Sequence, residues 1–171
     1  MNWRSIKRKY QLELCYLPWK SLFLTAGICL ICGIFVAFSG VNHHTIHLYI
    51  PRGSLPLFLV SCLWCVEYFL LGLGLGIFLL SQKCRKEKRF HDHFSLFLCA
   101  LVFSYAWIPI TVRAGNLFFA FLIGIVLFGV LLFLILSIRL YAPIVCILLG
   151  ACALWTMYTL GYTISLWLFN R

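Results

Sequence analysis

The chain has 171 residues, 64% of them apolar and 11% charged, with a formal net charge of +10. Soluble globular chains run at roughly 45–50% apolar and about 25% charged. A water-soluble fold of this length has too little interior to hide that much apolar surface, so much of it must face lipid.

In chain order, residues 1–20 form a basic and aromatic leader, with Arg4, Lys7, Arg8 and Lys9 set among Trp3, Tyr10, Tyr16 and Trp19. This pattern predicts an interfacial helix lying on the inner membrane face as far as Pro18. Five apolar runs follow, near 21–40, 56–80, 94–112, 117–138 and 140–169. Each is long enough to cross a bilayer core, which needs about 20 residues of helix. The runs are continuously apolar and do not alternate, which selects helices over barrel strands. The first run is too long and too far from the N-terminus for a cleaved signal peptide, and Ser39-Gly40 leads into polar sequence without an Ala-x-Ala site. The expected fold is all-α: a leader at 1–20 and an integral membrane bundle of five transmembrane helices at 21–171.

The links differ in character. The first, 41–55, is the longest. It carries His43, His44 and His47 and suits a loop covering a cavity mouth. The second, 82–92, is strongly charged. The last two, near 113–116 and at Arg139, are very short, which forces their neighbouring helices to run antiparallel and pack together. Arg4, Lys7, Arg8, Lys9, Lys20, Lys83, Arg85, Lys86, Lys88, Arg89 and Arg139 fall on one side of the membrane; Arg52, Arg113 and Arg171 fall on the other. By the positive-inside rule this predicts a cytoplasmic N-terminus and an external C-terminus. The basic charge then reads as topology and contact with anionic lipid. No basic groove with interleaved aromatics points to nucleic acid.

The chemistry-bearing residues lie within the spans. Trp64, Tyr68 and Gly72 recur at four-residue steps and share one face of the second helix, two large rings beside a notch. Trp107 and Pro109 come late in the third, where proline frees a carbonyl and can kink the helix. Trp155 and Tyr158 share a face of the fifth, with Gly161 leaving room. If these faces converge, they wall a cavity suited to a flat, hydrophobic, aromatic ligand; the competing reading is interfacial belts and ordinary packing. Glu67 is the acid well inside a span. At that depth a carboxyl is neutral, paired or wetted, and it could hydrogen-bond a polar ligand edge, take part in proton movement or bond a neighbouring helix. Two Cys-x-x-Cys pairs, Cys29/Cys32 and Cys62/Cys65, sit inside apolar helices, where cysteine behaves as a small hydrophobe; no metal site is assigned to them. His43, His44 and His47 belong to residue types that ligate metal or haem iron, but an exposed polar loop is the better account of them. His91-Asp92-His93 is expected to cap the third helix. Gly72 and Gly76 permit a close helix contact, within the bundle or between subunits.

These residues together resemble the translocator protein (TspO/MBR, tryptophan-rich sensory protein) family. The similarity is carried by Pro51, Pro56, Trp64, Tyr68 and Gly72 at the family's separations. It is also carried by Trp107-Ile108-Pro109-Ile110 in the third helix, and by Trp155 followed by Trp167 and Asn170 in the fifth. The resemblance runs from about Ser21 to the C-terminus. It implies a five-helix bundle, often a homodimer, that binds porphyrins and related aromatic ligands under the first long loop. Trp64 and Tyr68 would line the pocket, with Trp107 and Trp155 close by. The chain also departs from the pattern. Ala100 and Ser104 stand where the family has Gln and Asn, which implies a weakened polar contact to ligand. Ser61-Cys62 replace a Gly/Pro pair, and Thr163 replaces an Asn. After Tyr162 the next basic residue is Arg171, too far for the sterol motif of animal members.

The expectation is therefore a divergent bacterial cell-membrane protein that binds, transports or senses porphyrin-like or other planar hydrophobic ligands. Trp64, Glu67, Tyr68, Trp107, Trp155 and Tyr158 are the ligand-binding residues, with His43, His44 and His47 in the loop above. Porphyrin or haem would be ligand, not required cofactor; the other partners are membrane lipid and a second copy of the chain. No catalytic residue is assigned. The alternatives are a membrane enzyme acting on bound porphyrin or on thiols, and a signalling module without small-molecule transport.

Overall fold

The computed structural model describes residues 18–40, 55, 57–113 and 115–170. Residues 1–17 of the leader, the three loop histidines, Pro51 and Pro56 lie outside the described residues.

Among the described residues five helices are long and apolar enough to cross a membrane. They are α1 (Trp19–Gly40), α2 (Leu57–Leu80), α3 (Phe90–Ile108), α4 (Leu117–Ile138) and α5 (Pro143–Phe169), and among the described residues there is no strand. Local chemistry sets their ends. Pro18 cannot continue a helix backwards, but its carbonyl accepts the Leu22 N–H and opens α1. A four-residue helical turn, Gln82–Arg85, bridges toward α3. Gly115, at φ 60°, makes the turn between α3 and α4, and the Asn116 side chain then caps α4 by accepting from Phe119 N at 3.0 Å. Pro143 sits in the first turn of α5, where its missing N–H costs nothing.

The third helix begins earlier than its hydropathy suggests, at Phe90 instead of 94, because Phe90 stacks flat on Phe78 at 5.2 Å and extends the buried register. The expectation that His91-Asp92-His93 caps it is corrected: Arg89 is the capping position, with no side-chain bond. Asp92 lies in the first turn, where a negative charge favours the helix dipole. His93 turns inward, and its Nδ1 pairs with the Tyr141 hydroxyl at 2.8 Å, tying the start of α3 to the α4–α5 link. At its far end α3 widens into a π-helical turn, Pro109–Arg113. Pro109 has no N–H to give the α-helical ladder, and the Thr111 hydroxyl donates to Trp107 O at 2.7 Å.

The helices close into a ring in the order α1, α2, α5, α4, α3, with α3 and its π turn meeting α1. The tightest seam is α1 on α2. Gly72 faces Ala26 and Cys29, Gly76 faces Thr25 and Leu22, and Gly33 faces the ring of Tyr68. The glycine pair expected to mediate close contact therefore does so within the bundle. The outward surfaces carry large apolar side chains such as Phe35, Val102, Phe133 and Ile147, as a lipid-facing bundle requires.

The interior divides in two. Toward the end bearing Lys83–Arg89 it is an aliphatic and phenylalanine core, with Leu75, Phe78, Phe97, Leu131, Leu134 and Leu149 buried. Toward the other end it is a separate cluster of Val60, Trp64, Tyr68, Trp107 and Ala120, with Trp155 and Tyr105 packed on it. The candidate site is this second half.

Candidate functional site

Helix periodicity builds the site. On the α2 segment in this half the buried residues are Val60, Trp64, Glu67, Tyr68 and Leu71, an i, i+3, i+4 stripe that turns into the bundle. On α3 the inward residues are Ala100, Ser104 and Trp107, and on α5 they are Cys152, Thr156, Thr159 and Thr163.

The Trp64 indole is central. It stacks on Trp107 with centroids 4.7 Å apart and meets the edge of Trp155 at 6.1 Å. It also tilts against Tyr68 at 5.9 Å, and Tyr68 takes the edge of Tyr105 at 5.1 Å. The Tyr105 hydroxyl donates to Cys29 O at 2.7 Å, which anchors α3 to α1. From Trp155 a ladder of stacked rings runs up α5 through Tyr158 (5.2 Å) to Tyr162 (6.4 Å). Tyr158 lies on the flank of the cluster, partly exposed, and its hydroxyl accepts the Leu55 N–H at 3.3 Å. It thus links α5 to the segment that enters α2. Gly161 faces outward with open space around it, so it makes no room inside.

A polar layer adjoins the rings. Glu67 is only 1% exposed, and Ser104 of α3 and Thr156 of α5 approach its carboxyl. Neither carboxyl oxygen closes a hydrogen bond. The Thr156 hydroxyl instead donates to Cys152 O at 2.9 Å, and Thr159 and Thr163 likewise bond back to their own helix. Among the described residues, the buried side-chain polar atoms without a hydrogen bond are Trp64 Nε1, both oxygens of Glu67, Tyr68 Oη, Ser104 Oγ and Trp155 Nε1. Each such atom costs about 1–3 kcal/mol if left unmade, and scattered orphans would be unusual in any fold. All of them belong to residues of α2, α3 and α5 in the half of the bundle that holds the rings.

Sequence reasoning placed Trp64, Tyr68, Trp107 and Trp155 on their helices, and the structure brings their rings together. Ser104 and Thr156 were missed as neighbours of Glu67. Ser104 stood only for a lost polar contact, yet it is fully buried with a free hydroxyl beside the acid. The cysteine pairs split across faces: Cys29 is buried against Gly72, while Cys32 and Cys62 are exposed on the outside of their helices, and none of Cys29, Cys32, Cys62 and Cys65 is in a disulfide. No group of three metal-ligating side chains occurs among the described residues.

Five apolar helices around a buried aromatic centre define an integral membrane protein with an intramembrane aromatic site. The chain belongs to the TspO/MBR family, whose model matches residues 24–168. No curated protein matches the chain significantly.

Proposed function

We propose that the chain is a membrane-embedded binding protein for planar hydrophobic ligands of the porphyrin kind, acting as carrier or sensor. The observation that carries this reading is the coincidence of two features in one half of the bundle. Stacked indole and phenol rings offer flat apolar faces, and six buried polar atoms, three on those rings and three on Glu67 and Ser104, lack partners among the described residues. A ligand with a flat body and a few polar positions answers both at once. Family membership agrees with a ligand-binding, transport or sensor role. The Trp64 and Trp107 faces already cover one another, so a planar guest enters by separating that pair by about one ring thickness. The dry aliphatic core under the site favours entry from lipid or from the opposite end of the bundle.

Lys20, the 83–89 cluster and Arg139 gather at the end of the aliphatic core, which supports a cytoplasmic location for that end in a bacterial cell membrane. Fluorescence titration of the full chain in lipid nanodiscs with porphyrin, haem, sterol and flavin tests the reading. Saturable quenching of tryptophan emission by a tetrapyrrole is expected, and the Trp64→Ala chain should lose it. Quenching that survives unchanged in that variant refutes the placement of the ligand.

A further inference from the structure

Glu67 is the feature that a purely apolar aromatic pocket leaves unexplained. It is buried as deeply as Trp64 and Tyr68, one helical turn from the Trp64–Trp107 stack. Two hydroxyls approach it without satisfying it. Thr156 has already spent its proton on Cys152 O, so toward Glu67 it can only accept. Ser104 has one proton to give. A carboxyl has up to four acceptor positions when ionised, so this environment leaves most of its capacity unused. Among the described residues no Lys, Arg or His acts on it; the titratable neighbours are Tyr68 on its own helix and Cys152 on α5. The missing counterpart is a cation or a strong N–H donor, and the aromatic faces alongside favour a cation too.

We propose that this site, within the binding role argued above, selects planar aromatic ligands that carry a basic nitrogen, with Glu67 as their counter-charge. The uncharged amine reaches the site through lipid. Its lone pair takes the carboxyl proton: the Glu67 O–H bond breaks, an N–H bond forms, and an ammonium–carboxylate pair remains. Net charge is unchanged by the transfer, so no ion has to cross the apolar core alone. Ser104 and Thr156 lie on the α3 and α5 sides of this pair, and Trp64 and Trp155 hold the aromatic body.

The test uses the full chain in zwitterionic phosphatidylcholine nanodiscs, with empty nanodiscs as blank. Energy transfer from tryptophan reports binding of 1-pyrenemethylamine and of 1-pyrenemethanol, which share ring and hydrogen-bonding reach but differ in basicity. The native chain is expected to bind the amine about tenfold or more tighter than the alcohol, and Glu67→Gln to bring the two within about twofold by weakening the amine alone. Equal binding of both probes by the native chain overturns the inference, and so does a Glu67→Gln chain that keeps the amine preference or weakens both probes alike. If Glu67→Gln does not fold, Glu67→Leu takes its place, and the amine-to-alcohol ratio of the native chain already decides the matter. A porphyrin that quenches while neither pyrene binds removes this inference and spares the broader one; failure of every aromatic probe removes both.

Discussion

Replacing Gly72 by alanine puts a methyl group where α1 and α2 already touch. Its carbon would lie 2.8 Å from Ala26 Cα and 2.8 Å from Cys29 Cβ. Carbon atoms attract best at about 3.5–4.0 Å, so the helices must part by roughly 1 Å. Neither neighbour can rotate away, because one is backbone and the other is the first atom of its side chain. The buried stripe of α1, Leu22, Ala26 and Cys29, then loses a quarter to a half of its contact energy per atom pair, on the order of the loss for a 0.5–1 Å gap. Overpacking of this kind costs about 1–3 kcal/mol. Gly76 is the internal control, since a methyl there would meet Thr25, Leu22 Cδ1 and Leu22 O at 3.4–3.6 Å, which is ordinary contact. Gly76→Ala should be neutral or gain slightly from better helix propensity. Both variants would be unfolded in mixed micelles with rising dodecyl sulfate, read by tryptophan emission. Gly72→Ala is expected to unfold earlier than Gly76→Ala by the equivalent of about 1 kcal/mol or more. Equal midpoints would show that α1 is not clamped on α2 in this register, and the placement of Tyr68 against Gly33 would fall with it.

Other outcomes follow from the same contacts. Trp64→Ala should lower stability by about 2 kcal/mol, less than the 3–5 kcal/mol of a water-soluble core, because an unfolded helix still keeps its side chains in lipid; the same micelle titration measures it. Thr111→Val keeps the shape but removes the bond to Trp107 O, which ties the π turn to the last turn of α3. A loss of about 1 kcal/mol and an altered near-ultraviolet dichroism of tryptophan are expected, and an unchanged spectrum would disconnect the π turn from the stack. Tyr141, in the link outside the membrane spans, has its hydroxyl pushed up from its ordinary range by burial, then by Cys84 and Glu87 nearby. An unfolded chain releases that proton near pH 10 and the folded one holds it. Stability should therefore be full below about pH 10 and fall as pH rises beyond it. Tyr141→Phe should flatten that alkaline fall and, through the lost His93 bond, cost about 1 kcal/mol at neutral pH.

The membrane helices were legible because each is a run of apolar residues with no rival interpretation, and their ends shifted by only a few residues. The stripe of Trp64 and Tyr68 was legible too, since a four-residue step fixes a shared face whatever the neighbours are. What surrounds that face was not. Ser104 and Thr156 meet Glu67 only because three helices have particular rotations and a particular vertical offset, and single-helix periodicity carries no information on either. Thr156 is also the kind of residue that bonds to its own backbone, as it does here, so nothing in the sequence marks it as a neighbour of an acid. His93 misled for a related reason: beside Asp92 and a charged link it looks like a cap, but one turn of rotation puts it under Tyr141.

Chain direction explains why the polar layer falls where it does. Along α2, Glu67 follows Trp64 by three residues. Along α3, Ser104 precedes Trp107 by three. Because α2 and α3 run in opposite directions across the membrane, these opposite orders put Glu67 and Ser104 at one level and the two stacked indoles at the next. On α5, antiparallel to α2, Cys152 lies one turn before Thr156 and bonds toward Glu67 O across 3.9 Å, fixing that same level on the third wall. Below it the core is mainly aliphatic and phenylalanine, with Cys84 and the inward His93 at its far end, and above it are the rings. A carboxyl at such a boundary has the apolar floor on one side and the ring cluster on the other. The direction in which an unmet acid can find a partner is therefore the direction from which a flat ligand would arrive.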